Sequence, residues 1–186
     1  MIVFISGGVR SGKSDVAERC VQVLASSESV VHYIATAKVT DEEMRARVVH
    51  HQKRRDGQSL SWQTWEQPLC LHKLAPKFAA RDVVLLDCLT NWLANELFAT
   101  EGWEREEHCL QIAERMLAAI KQLAASCKAL IIVSNELFSG GVPDDIGTYH
   151  FMKALGRLHQ RIVDMASSAL LVQHGIPTLK KGVDIL

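Results

Sequence analysis

The sequence predicts an α/β fold: a mostly parallel sheet covered by helices on both faces, in one domain spanning residues 1–186. Three observations carry that prediction. Short apolar runs at Ile2–Ile5, Val30–Ile34, Asp82–Leu86, Ala129–Val133 and Ser168–Val172 recur along the chain, each long enough for a buried strand. Helical patterns separate most of them, as parallel neighbours require. Polar or glycine residues follow the runs directly, at the strand ends where open α/β sheets bind ligands.

The first run leads into the most informative stretch, MIVFISGGVRSGKS at 1–14. Gly7-x-x-x-x-Gly12-Lys13-Ser14 is the spacing of a phosphate-binding loop, so the fold is read as a P-loop nucleotide-binding fold. Glycines let backbone N–H groups turn inward around phosphate oxygens, and the helix opening at Lys13 adds unpaired N–H groups and a positive dipole end. The expected cradle is Gly7, Gly8, Val9, Arg10, Ser11 and Gly12. Lys13 reaches the outer phosphates and Ser14 holds Mg²⁺. The helix over 13–25 turns Val16, Ala17, Cys20, Val21 and Leu24 inward.

The second run ends before Thr36, which is read either as a pocket residue or as a hydroxyl opening the next helix; His32 within the run is read as a buried, satisfied histidine. Thr40 and Glu43 form a capping box for a helix over 41–53. On it Arg47 and His51, and His50 and Arg54, are each four apart and share a face. Adjacent histidines point about 100° apart, so one can face a nucleotide while the other orients or packs. A neutral imidazole attacks phosphorus and arginine holds phosphate oxygens; a solvated basic helix is the other reading.

Trp62 and Trp65 fall in a possible short strand and are read chiefly as core, and Pro68 opens an uneven helical stretch to Ala80. Asp82–Leu86 then end in Asp87. An acid after an apolar strand is the usual second element of a phosphate site, ordering Mg²⁺ or bonding Ser14. Asp87 is placed beside the loop on the condition that its strand neighbours the first. Cys88 is expected to pack. Thr90 and Asn91 are read as caps of a helix over 91–99, with Asn95 and Glu96 on it, Glu96 as ligand or solvated. A long helix follows at 104–126. Asn135 and Glu136, after the next strand, are read as pocket residues or as capping and turn residues, the pocket reading being favoured, and Phe138–Asp145 is the candidate substrate-facing loop. A helix over 146–166 carries Lys153, Arg157 and Arg161, which meet phosphate or form a basic edge. Gly175-Ile176-Pro177 is a turn.

Twenty-one basic residues balance twenty-one acidic ones, giving no global signal for nucleic acid or an anionic membrane. No run reaches transmembrane length, and five scattered cysteines suggest neither zinc nor a disulfide framework. A reducing cytoplasm is the expected compartment.

The chain resembles the bifunctional adenosylcobinamide kinase/adenosylcobinamide-phosphate guanylyltransferase family over nearly its whole length. The resemblance rests on GGVRSGKS at 7–14, YIATA at 33–37, DEEMRARVVHH at 41–51, LLDCLTNWLANELF at 85–98, SNE at 134–136, GGVP at 140–143, Phe151-x-x-x-x-Gly156-Arg157 and GIPTLKK at 175–181. It implies phosphorylation of the aminopropanol hydroxyl of adenosylcobinamide by ATP or GTP. GTP then gives GMP to that phosphate, yielding adenosylcobinamide-GDP and pyrophosphate. It also implies that His50 is the guanylylated residue with His51 beside it, that Lys13, Ser14 and Asp87 handle phosphate and Mg²⁺, and that the protein is a homotrimer. The chain departs from the family pattern in four places. RRDGQSLS stands at 54–61 without the usual Arg-Pro, and Phe138 replaces a glycine. Tyr149–Lys153 lacks two arginines and an acid, and His159 replaces an asparagine. These departures fall mainly on the expected corrinoid-facing region. Two other functions are weighed: a P-loop kinase of another alcohol without guanylyltransfer, and a nucleotide-driven regulatory switch.

Overall fold

β1 (Ile2–Gly7) runs in register between β5 (Ala129–Asn135) and β6 (Ser168–Gln173), Gly7 pairing with Asn135 on one side and Val172 on the other. The structure, a computed structural model, describes residues 1–37 and 60–186. With β2 (Val30–Ala35), β3 (Ser61–Glu66), β4 (Val83–Asp87) and β7 (Ile176–Gly182), the strands form one sheet in the order β3-β2-β4-β5-β1-β6-β7. Only β7 is antiparallel, in a hairpin with β6. The predicted α/β architecture is therefore present.

The period of two along β1 divides the core. Val3 and Ile5 face α1 (Lys13–Leu24), packing with Val16, Ala17, Cys20 and Val21. Ile2 and Phe4 face the opposite layer, built by α2 (Leu89–Phe98), α3 (Glu106–Ser126) and α4 (Ile146–Met165). Both sheet faces are thus covered, which is why β4 and β5 are almost continuously apolar and buried.

Several expectations are corrected. β4 does not neighbour β1, because β5 lies between them. The helical stretch expected from Pro68 is a 3₁₀ segment, Leu71–Lys77, containing Pro76, whose missing N–H and ring disfavour an α-helix there. α2 begins at Leu89, so Thr90 and Asn91 lie inside it instead of capping it; the cap position is Cys88. The turn at 175–177 runs into β7, whose mostly exposed residues lack a clear apolar alternation and whose Pro177 is tolerated on an edge strand. The expected helix over 41–53 and its capping box lie outside the described residues.

Candidate active site

At the carboxyl end of β1 the chain turns through Gly7–Gly12 into α1. Ser11 N–H donates to Gly8 O at 3.2 Å, and Gly12 O accepts from Asp15 and Val16 N–H at 3.1 and 3.2 Å. Gly12 has φ 90°, in the left-handed region, and a Cβ there would lie 3.0 Å from Gly175 Cα. A Cβ on Gly7 would lie 2.5 Å from Val172 O, a backbone atom of the neighbouring strand. The spacing of the two glycines therefore reflects close backbone approach as well as turning. A Cβ on Gly8 would meet nothing within 4 Å, so Gly8 borders open space, and Val9 is 68% exposed. Lys13 is buried at the helix start and its Nζ donates to Gly8 O at 2.9 Å.

Ser14 Oγ, on the first turn of α1, lies 3.5 Å from Asp87 Oδ2 at the end of β4, and Tyr33 Oη donates to the same oxygen at 3.3 Å. The hydroxyl–carboxylate separation exceeds that of an ordinary O–H···O bond. A hydroxyl beside a carboxylate is a hard, oxygen-only donor set of the kind Mg²⁺ takes, its remaining positions going to water and phosphate. The residues present therefore fit the ion.

Behind Asp87, Thr36 is wholly buried. Its hydroxyl accepts from Cys88 N–H and donates to Cys88 O, both at 2.8 Å. Its own carbonyl accepts from Asn95 Nδ2 at 2.7 Å. Thr36 thus fastens the end of β2 to the segment between Asp87 and α2. Burial, with the Asp87 charge beside it, pushes the Cys88 thiol up to about 12, so it packs as a neutral group. Glu96 is neither a ligand nor simply solvated: Oε1 accepts from Trp92 Nε1 and Cys70 N–H, both at 2.9 Å.

A second polar chain runs beneath the loop. Thr90 Oγ1 accepts from Asn135 N–H at 2.9 Å and lies 3.1 Å from Ser134 Oγ, which is 2.7 Å from His159 Nε2. The His159 ring meets Phe4 and Phe138 edge to face, and burial lowers its pKa to about 4 against the opposing charge of Glu136. Glu136 has a turn role: its carboxylate accepts from Phe138 N–H at 2.7 Å and Ser139 Oγ at 2.9 Å. Lys153 and Arg157 form the solvated edge, paired with Glu106 and Glu114.

His32 is the satisfied histidine expected, with Nε2 3.2 Å from Asp82 Oδ2 and Nδ1 accepting from Trp65 Nε1 at 3.1 Å. Trp65 is accordingly packing, not a base platform. Arg47, His50, His51 and Arg54 lie outside the described residues.

Sequence reading missed two contributors. Tyr33 sits two positions before the end of β2, where its hydroxyl reaches Asp87. Gly175, in the β6–β7 turn at φ 80°, donates its N–H to Ser11 O at 2.8 Å and so buttresses the loop. The glycine after an apolar strand was the available signal for the second; nothing local marked the first.

Residues 3–179 match the family described as cobinamide kinase / cobinamide phosphate guanyltransferase. The chain is 36% identical to the bifunctional adenosylcobalamin biosynthesis protein CobU of Escherichia coli K12, over 95% of this chain and 97% of that protein. It is 35% identical to CobP of Pseudomonas aeruginosa, described in the same words, over 96% of each chain. A solved structure, the flagellar accessory protein FlaH of Methanocaldococcus jannaschii, overlaps 97% of this chain and 78% of its own at a TM-score of 0.47 and 16% identity. Among the described residues no helix is long and apolar enough to cross a membrane.

Proposed function

The chain belongs to the cobinamide kinase / cobinamide phosphate guanylyltransferase family, and we propose that its kinase reaction uses the phosphate loop at 7–14 and its guanylyltransfer uses His50. The observation that carries the reading is the meeting of Ser14 with Asp87 beside a glycine loop open at Gly8, within a chain whose family match runs almost end to end. The enzyme phosphorylates cobinamide and guanylylates the resulting phosphate, so its substrates include a nucleoside triphosphate, GTP for the second step.

In the kinase step, the aminopropanol hydroxyl of adenosylcobinamide attacks the γ-phosphorus of ATP or GTP and expels the diphosphate. Gly7, Gly8, Val9, Arg10, Ser11 and Gly12 present backbone N–H groups to phosphate oxygens, and Lys13 stabilises the charge that develops. Ser14 and Asp87 hold Mg²⁺, which when bound neutralises phosphate charge. Thr36 acts through Cys88 and Asp87, as a positioning residue of the nucleotide site.

In the guanylyl step, a neutral His50 ring nitrogen attacks the α-phosphorus of GTP and pyrophosphate leaves. Arg47 and Arg54 hold phosphate oxygens and His51 orients. An oxygen of the cobinamide phosphate then attacks the phosphorus of the phosphoramidate, breaks the P–N bond and frees His50, yielding adenosylcobinamide-GDP. The proposed protein is a single-domain cytoplasmic homotrimer without nucleic-acid partners or membrane insertion. Mass analysis of the products from adenosylcobinamide, with ATP and GTP supplied separately, tests the reading: a phosphate adduct followed by a GMP adduct is expected. Phosphorylation of another alcohol alone, or nucleotide binding with no corrinoid product, would replace it.

A further inference from the structure

The turn joining β6 to β7 consists of His174 and Gly175, with Gln173 paired to Ile176 across it. Both turn residues lie in the left-handed region, at φ 54° and 80°, as a type I′ turn requires. Glycine takes the first position without steric cost, whereas this chain carries a side chain there. The turn is docked on the phosphate loop. Gly175 N–H donates to Ser11 O at 2.8 Å, and a Cβ on Gly12 would lie 3.0 Å from Gly175 Cα. His174 is therefore held next to a residue that touches the loop backbone, yet it is exposed. Its imidazole has no hydrogen-bond, ion-pair or ring partner among the described residues. None of the steps above uses it.

Strand order decides what this ring can meet. Asp87 ends β4, which lies on one side of β1 beyond β5, while β6 and β7 lie on the other side. In phosphoryl transfer the metal bridges the outer two phosphates, so Ser14 and Asp87 mark the reacting end of a bound triphosphate. The nucleoside is at the opposite end and leaves the loop away from Asp87, over the β6–β7 turn. We propose that His174 is a nucleoside-binding residue of the kinase step, its imidazole lying against the purine face of the phosphoryl donor. The assignment rests on the kinase reading and concerns the part of the nucleotide that the phosphate loop does not hold. An exposed imidazole offers a flat π surface that stacks on a purine base. The hydrogen bond from Gly175 to Ser11 couples that surface to the phosphate cradle, so one unit grips base and triphosphate together. Stacking without readout of the base edge does not separate adenine from guanine, so this site takes ATP and GTP alike.

The test uses the full-length enzyme with His174→Asn and His174→Tyr. Asparagine suits the left-handed position and removes the ring, so its effect is not that of a broken turn. Tyrosine keeps an aromatic face. KM for ATP and for GTP is measured in the kinase step, alongside competitive inhibition by inorganic tripolyphosphate, which fills the phosphate loop and has no base. His174→Asn should raise both nucleotide KM values roughly five- to tenfold, the scale for losing one base-stacking side chain. The inhibition constant of tripolyphosphate and KM for adenosylcobinamide should stay at the wild-type values, and His174→Tyr should restore most of the nucleotide affinity. An unchanged nucleotide KM in His174→Asn would overturn the assignment. Equal weakening of tripolyphosphate and nucleotide would also overturn it, marking the turn as a support of the loop alone. Equilibrium dialysis of ATP against the same variants reads the site without a corrinoid. Failure of the wild-type enzyme to phosphorylate adenosylcobinamide would therefore remove the functional reading, while the dialysis still decides the assignment.

Discussion

Ser14 Oγ stands 3.5 Å from Asp87 Oδ2 although β5 separates the strands that lead to the two residues. The contact forms because α1 packs across both β5 and β4, carrying Ser14 over the intervening strand. Asp87→Asn keeps the side-chain size and removes the charge. It should raise the Mg²⁺ concentration needed for half-maximal turnover by tenfold or more, read by metal titration of the kinase step. Unchanged titration would make Asp87 a structural partner of Tyr33 and Ser14.

Lys13→Ala should lower phosphoryl transfer by about 10²–10³-fold, the scale for losing a preorganised charge stabiliser. Nucleotide affinity measured in parallel separates that role from simple binding. Wild-type turnover would refute it.

His50→Ala should abolish both the covalent GMP adduct and guanylyltransfer while sparing much of the phosphorylation, because the kinase step needs no histidine nucleophile. Intact-protein mass measurement after GTP incubation reads the adduct. Adduct formation should fall on acidification, because protonation removes the ring nitrogen lone pair that attacks phosphorus. A labelled peptide mapping to His51 would reverse the assignment, and guanylyltransfer by His50→Ala with no adduct would eliminate the covalent route.

Gly7→Ala places a methyl group 2.5 Å from Val172 O, so β1 and β6 must separate or the loop must shift. Overpacking of this kind costs about 1–3 kcal/mol. For a chain of this size that is a Tm decrease of roughly 2–12 °C, measurable by calorimetry. Gly8→Ala meets no atom within 4 Å and should leave Tm nearly unchanged while weakening nucleotide binding.

His159 supplies a pH dependence. Burial lowers its folded pKa to about 4, below the unfolded value near 6.5. Between those values the unfolded chain binds the extra proton, so stability falls as pH drops from about 6.5 to 4 and this contribution then levels off. Across that window His159→Asn should flatten the decline by up to about 3 kcal/mol in denaturant titrations at successive pH values. A parallel acid limb in the variant would place the titration elsewhere.

The stretch from Ile2 to Leu24 was legible because its signals are local. Four apolar residues make a buried strand, two glycines at fixed spacing permit the turn, and Val16, Ala17, Cys20 and Val21 repeat with helical period. The burial of His32 and the acid closing β4 were legible for similar reasons, from residue type and position at a strand end. Family membership also rested on sequence, since short motifs at set intervals need no coordinates. Tertiary structure decided what depends on residues distant along the chain. It put β5 between β1 and β4 and paired β7 with β6. It used Thr36 to hold Cys88, Glu96 to hold Cys70 and Gly175 to support Ser11. Strand order and side-chain partners come from crossovers and nonlocal hydrogen bonds, and a local pattern specifies which face is apolar without specifying which other face it will meet.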